Sequence, residues 1–256
     1  MNFISLIGVE IKKLRRSKIL LIFIIPIVLI WGMAVMNADV NFKVNPMGVP
    51  PAYNFLIQSF LGYAWFMYPA SLVVIAILIT QTERNGNGMI KMLSLPVSGV
   101  KLCIAKYCVF IILMADEMLL MFAAYFPSAL LASGQLNYDF MLDFWYVLKI
   151  CGKVFLASIP MSAIYWMMGV LLKNPVASTG IGLATVVPVV LAINTKAWFA
   201  YPMCYPMMLV ASAMNGFAAD ANPSAISLIP WIPVSVALTV ASAGSACLLF
   251  GRAERK

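Results

Sequence analysis

The chain has 256 residues, 63% of them apolar and only 10% charged, with a net charge of +8 and no histidine. A soluble domain is about 45–50% apolar and about 25% charged, so the composition excludes an ordinary globule and disorder alike and marks an integral membrane protein. The lack of histidine excludes serine–histidine and cysteine–histidine catalysis and histidine-ligated zinc.

Residues 1–18 read as an interfacial helix. Phe3, Ile7, Ile11 and Leu14 recur at helical spacing, while Glu10, Lys12, Lys13 and Arg16 fall elsewhere on the wheel. Such a helix lies in the headgroup plane with its lysine stems reaching outward; a plain extension of the first span is the other reading. The apolar run that follows exceeds the roughly 7–15 residues of a signal-peptide core and no A-x-A site follows it, so a cleaved leader is not expected.

Six stretches have about the 20 apolar residues a crossing needs: 19–36, 60–80, 104–128, 144–171, 176–195 and 229–250. The expected architecture is an all-α polytopic membrane protein, one transmembrane domain over residues 1–256. Its two distinctive connections are a cytoplasmic loop at 81–101 and an outer segment at 196–228. Thirteen basic residues fall on the side of both termini, among them Arg84, Lys101, Lys106 and Lys173, against Lys43 and Lys196 on the other. Basic residues accumulate on the cytoplasmic side, which predicts a plasma-membrane protein with both termini in the cytoplasm. The basic patches then read as topology signals and anionic-lipid contacts, with no nucleic-acid partner.

The loop from Gln81 to Tyr107 carries turns at Asn85-Gly86 and Asn87-Gly88, and Met89–Leu95 are predicted to form one or two helical turns stopped by Pro96. A short helix along the membrane surface suits docking into a partner's groove; a plain connector is the bland alternative. Inside span three lie Asp116 and Glu117, and one turn apart on span four lie Lys149 and Lys153. A short loop joins these spans, so the charges fall at similar depth. Leaving all four unpaired is too expensive, and an Asp116/Glu117–Lys149/Lys153 cluster is expected, as a packing clamp or as a polar lining for a cationic peptide; a later start of span three, which exposes the acids to outer water, is the remaining alternative.

In span five, Ala177, Ser178, Gly180, Gly182 and Ala184 make a smooth face for close helix contact. The outer segment is almost wholly apolar over Tyr201–Met214, too short to span and too apolar for water, which predicts a re-entrant hairpin. Trp198, Phe199, Tyr201 and Tyr205 would sit at headgroup level, and Pro202 and Pro206 would break or cap its first turn. Among five cysteines no C-x-x-C occurs; Cys103, Cys108, Cys151 and Cys247 lie in apolar stretches, as small hydrophobes do. Gly152-Lys153 lacks the other residues of a phosphate-binding loop. The chain is expected to be no enzyme and to bind no cofactor, any ATP being hydrolysed by a separate subunit.

The N-terminal VEIKKLRRSK helix, the six spans, the loop residues Glu83, Gly86, Gly88, Met89, Leu93, Pro96, Ser98 and Lys106, and the apolar outer hairpin together resemble the permeases of type-2 ATP-binding-cassette (ABC) exporters. The resemblance implies an elbow helix at 1–18 and a coupling helix within Glu83–Ser98 that receives motion from a separate ATPase. Glu83, Arg84, Met89, Leu93, Pro96 and Ser98 are the residues of that contact. It also places Gly180, Gly182 and Ala184 at a seam with a second permease chain, though packing within one chain fits them equally. Size and the lack of a large outer domain look most like lantibiotic-immunity and bacitracin-resistance permeases, which remove antimicrobial peptides from the membrane. Another cargo (a drug, a lipid-linked glycan, an ion) or a non-transporting scaffold or sensor are the alternatives.

Overall fold

The computed structural model describes residues 3–14, 19–43, 48–84, 98–215 and 228–253. Among them the regular structure is entirely helical. Helix α1 (Phe3–Leu14) precedes α2 (Ile19–Met36), whose residues Ile19, Phe23, Ile27 and Trp31, four apart, are buried. The opposite face of α2 leaves Leu21, Ile25, Val28 and Met33 exposed, as a helix does that is apolar all round but packed on one side. Helix α3 (Ala38–Lys43) leads by a short connection to α4 (Pro51–Gly62), begun by a proline whose missing N–H is no loss there. A π-turn at Tyr63–Met67 joins α4 to α5 (Tyr68–Arg84).

Helix α6 (Gly99–Leu136) starts at the Ser98 cap and ends at Asn137, which adopts the left-handed conformation (φ 49°) common after helices. In the tight link to α7 (Phe144–Leu171), the Tyr125 hydroxyl donates to the Phe140 carbonyl at 2.7 Å and accepts from the Leu142 N–H at 2.9 Å. Asp143 caps α7 by accepting from the N–H groups of Trp145 and Tyr146. Asn174 caps α8 (Pro175–Ala184), which breaks before α9 (Val189–Ala192). Two 3₁₀ turns, Trp198–Ala200 and Pro202–Cys204, lead into α10 (Tyr205–Asn215), and α11 (Leu228–Ala253) runs along α7.

Among the described residues, five stretches are long and apolar enough to cross a membrane: 51–81, 99–136, 144–171, 175–192 and 229–250. The first expected crossing, 19–36, coincides with the apolar helix α2. The second starts nine residues before the expected boundary of 60, because Asn54 and Ser59 are accommodated inside the bundle; Ser59 donates to the Phe55 carbonyl at 2.7 Å. At one end of the bundle, Trp31 donates to the Met121 carbonyl at 3.3 Å, and its ring lies 5.6–6.3 Å from those of Phe55, Phe60 and Tyr125. This aromatic end is opposite the one that carries α1 and the stems of the 85–97 loop.

The outer segment partly follows its expectation. Pro202 opens a 3₁₀ turn and Pro206 lies in the first turn of α10. Its apolar character has a source inside the chain: Met203, Cys204, Tyr205 and Val210 are buried as α10 packs on α7 and α4. Tyr205 and Trp198 meet Trp231 of α11 edge-on or tilted. The hydroxyls of Tyr201 and Tyr205 donate to the carbonyls of Thr185 and Phe199. The rest of the segment, residues 216–227, lies outside the described residues. The five cysteines are free thiols.

Candidate functional site

The loop expected to couple to an ATPase leaves from α5 and returns into α6, and each stem is tied to a different helix. Met89, Leu93 and Pro96 lie outside the described residues, as does the side chain of Glu83. On the first stem, Arg84 donates to the carbonyls of Gly169 (3.3 Å), Val170 (2.7 Å) and Leu172 (3.0 Å). Gln81 donates to the Lys173 carbonyl at 3.1 Å. The last carbonyls of a helix have no partner within it and form its negative end, so a guanidinium there satisfies acceptors and complements the dipole of α7. Close approach makes the reach possible: a side chain at Gly169 would come within 3.2 Å of the Ala76 carbonyl oxygen on α5.

On the second stem, Ser98 accepts from the Lys101 N–H and starts α6. Two turns on, Lys106 is 1% exposed and donates to Glu10 Oε2 at 2.6 Å; Lys13 donates to Glu10 Oε1 at 2.7 Å. Only the placing of Glu10 on the outer polar face of α1 is corrected. Glu10, expected on the polar face, is 4% exposed and lies with Leu6 and Leu14 against α6, while Phe3 and Ile11 point away, 41% and 42% exposed. A buried ammonium demands a paired counter-charge, and that demand turns the helix. Burial alone would raise the Glu10 pKa, but the Lys106 ammonium, with help from Lys13, holds it below the ordinary value.

The four intramembrane charges do not meet. Glu117 is fully buried and accepts from Ser71 Oγ with both carboxylate oxygens, at 2.6 and 2.8 Å. The Tyr63 hydroxyl lies against the same carboxylate, and the Tyr63 and Tyr68 rings stack at 5.2 Å. The π-turn explains that stack: its wider turn closes from residue i to i+5, and the Tyr68 N–H donates to the Tyr63 carbonyl. Asp116, about 100° further round α6, is exposed. Lys149 and Lys153 are exposed too, and line a cavity between α7 and α10. Among the described residues no ion pair joins these lysines to Asp116 or Glu117. Equal depth was the basis for expecting the cluster; the rotation of α6, which aims Glu117 at α5, decides otherwise.

The small-residue face of α8 divides as well. Gly182 packs within the chain, where an added Cβ would stand 2.6 Å from Val73 Cγ1 of α5. Gly180 has open space around its Cα, and it shares an exposed face with Ala184, Ile181, Val187 and Leu191. Two partnerships escaped the sequence reading, Glu10 with Lys106 and Glu117 with Ser71. A signal for the first was there: a lone acid in a basic helix and a lysine among apolar neighbours.

A family model described as ABC-2 family transporter protein matches residues 6–190, the greater part of the chain. No curated protein matches it.

Proposed function

The chain belongs to the ABC-2 transporter family, a membrane component that works with an ABC ATPase, and on that footing we propose that it is the permease of an exporter that removes antimicrobial peptides of the lantibiotic type from the membrane and so confers immunity or resistance. Its place in this reading is the plasma membrane, crossed six times with both termini cytoplasmic, as the distribution of basic residues supports. A second permease chain, identical or related, completes the pathway, with the exposed face at Gly180 and Ala184 toward the seam. ATP is bound and hydrolysed by the partner subunit, and this chain holds no cofactor of its own.

One observation carries the coupling role: Arg84 and Gln81 tie the loop's first stem to the end of α7. A push on the loop from an ATPase reaches α7 through these bonds, while Glu10 and Lys106 tie the second stem to α1. The cargo assignment rests on the resemblance in size and domain content to peptide-immunity permeases.

Two measurements test the reading. Deleting the gene should sensitise cells to a lantibiotic, and the intact chain should restore resistance; unchanged sensitivity refutes the peptide cargo. The full chain should co-purify with an ABC ATPase, and Arg84→Ala should keep that assembly while lowering resistance at least tenfold. Full resistance in the Arg84→Ala strain refutes the coupling role.

A further inference from the structure

The cavity between α7 and α10 has no role in the transporter assignment. It has a volume of about 230 Å³, and its wall carries Lys149 and Lys153 but no aspartate or glutamate. The lysines stand one helical turn apart on one face of α7, about 5–6 Å between their Cβ atoms. Glu117, which sequence position offered as their partner, is occupied by Ser71. Two like charges remain side by side in a helix long and apolar enough to cross the membrane, where a lysine is disfavoured by about 2.5–3.5 kcal/mol on insertion scales.

Depth and wall chemistry name the occupant. Phe144 and Trp145, at the start of α7, are 48% and 65% exposed; aromatic residues so placed mark the membrane–water interface. At about 1.5 Å per residue, Lys149 lies about 6 Å and Lys153 about 12 Å deeper than Trp145. Both are within reach of the headgroup layer when their flexible stems extend upward. Between the ammonium groups and the hydrocarbon the wall is Ile150, Val154, Leu209 and Val210, a lining suited to chains and not to water. The volume falls below the roughly 300–1,000 Å³ of a pocket for a drug-sized molecule, which fits a headgroup and excludes a folded peptide. A cationic peptide would also be repelled.

We infer that this cavity holds the phosphate of an anionic membrane lipid, its charged non-bridging oxygens between Lys149 and Lys153 and its chains along the apolar wall of α7 and α10. Ser212 is on the same wall, but its hydroxyl proton is donated to the Leu209 carbonyl at 2.8 Å, so the two lysines are the donors to the phosphate. The lipid neutralises the paired lysines and fills the seam that holds α10 to the bundle. The inference is independent of which cargo the transporter moves.

The test uses the full chain in detergent, stripped of lipid and offered equal amounts of phosphatidylglycerol and phosphatidylcholine, with retained lipid counted by native mass spectrometry. Phosphatidylglycerol should be retained preferentially. Lys149→Met with Lys153→Met should weaken its apparent affinity about 30-fold, which corresponds to about 2 kcal/mol at about 1 kcal/mol per basic residue. Lys149→Arg with Lys153→Arg should preserve it, and phosphatidylcholine retention should stay unchanged throughout. Loss of the two charges removes no fold-bearing contact, so the methionine variant remains a valid sample; its thermal midpoint is read alongside. Equal retention of the two lipids, or full phosphatidylglycerol retention by the methionine variant, overturns the inference. So does inorganic phosphate that displaces the lipid at comparable concentration, which assigns the cavity to a soluble anion. Peptide resistance is not a readout here, so failure of this site and failure of the cargo assignment are separate results.

Discussion

Replacing Glu10 by Gln keeps the shape of the side chain and removes the charge that faces Lys106. The two groups are 4% and 1% exposed and 2.6 Å apart, and breaking a buried pair by removing one partner destabilises by about 3–5 kcal/mol. Glu10 also meets Lys13, whose side chain is 36% exposed, but an exposed pair contributes only about 0–1 kcal/mol. The expected loss for Glu10→Gln is therefore about 3 kcal/mol, a fall of roughly 6–12 °C in thermal midpoint at about 2–4 °C per kcal/mol. Lys106→Met should be milder, because Glu10 keeps Lys13 and turns toward water. Glu10→Met combined with Lys106→Met should recover to within about 1 kcal/mol of the parent, since apolar replacement of a whole buried pair is often neutral. Tryptophan fluorescence of the purified chain during heating reads all of these. The pH dependence has a definite sign: a carboxyl lowered on folding contributes fully above its ordinary value of 4.5 and loses that contribution as pH falls through the lower folded value. Glu10→Gln should flatten this acid limb. Strictly additive single and double variants, with no recovery, would refute the coupling between α1 and α6.

Gly182→Ala should destabilise by about 1–3 kcal/mol, because its Cβ meets the stiff, branched Val73; Gly180→Ala should be neutral or slightly stabilising, and equal thermal midpoints for the two refute the orientation of α8. Cysteine at Gly180 should cross-link to a neighbouring chain and cysteine at Gly182 should not; the reverse pattern removes the seam. Ser71→Ala, by taking a donor from buried Glu117, should lower stability by about 1–3 kcal/mol, and Glu117→Gln in the same chain should restore part of it; a Ser71→Ala variant of parental stability would show that the bond is idle.

Much of the molecule was legible one helix at a time. Ser98, Asp143 and Asn174 announce the starts of α6, α7 and α8 because their side chains suit the unpaired N–H groups there. Apolar length pointed to the long helices, five of which are long and apolar enough to cross a membrane among the described residues. The π-turn at Tyr63–Met67 had no such signal, since its neighbours are ordinary helix formers and only the packing of Tyr63 and Tyr68 around Glu117 sets it. The stem of the loop proposed for coupling was half legible: Arg84 was singled out, but its acceptors are backbone carbonyls of α7, which no residue type advertises.

The sequence by itself determined that this is a helical membrane protein and roughly where its long apolar helices lie. These follow from local physics: hydrocarbon thickness and capping. Only the tertiary structure decided that Glu117 faces Ser71, that Glu10 turns inward to Lys106, that Gly182 is buried while Gly180 is open, and that Lys149 and Lys153 stand together without an acid. Periodicity fixes the angular order of residues on one helix, but in a chain apolar on nearly every face it cannot say how far each helix is rotated toward its neighbour. Close packing and the pairing of a few buried charges choose that rotation.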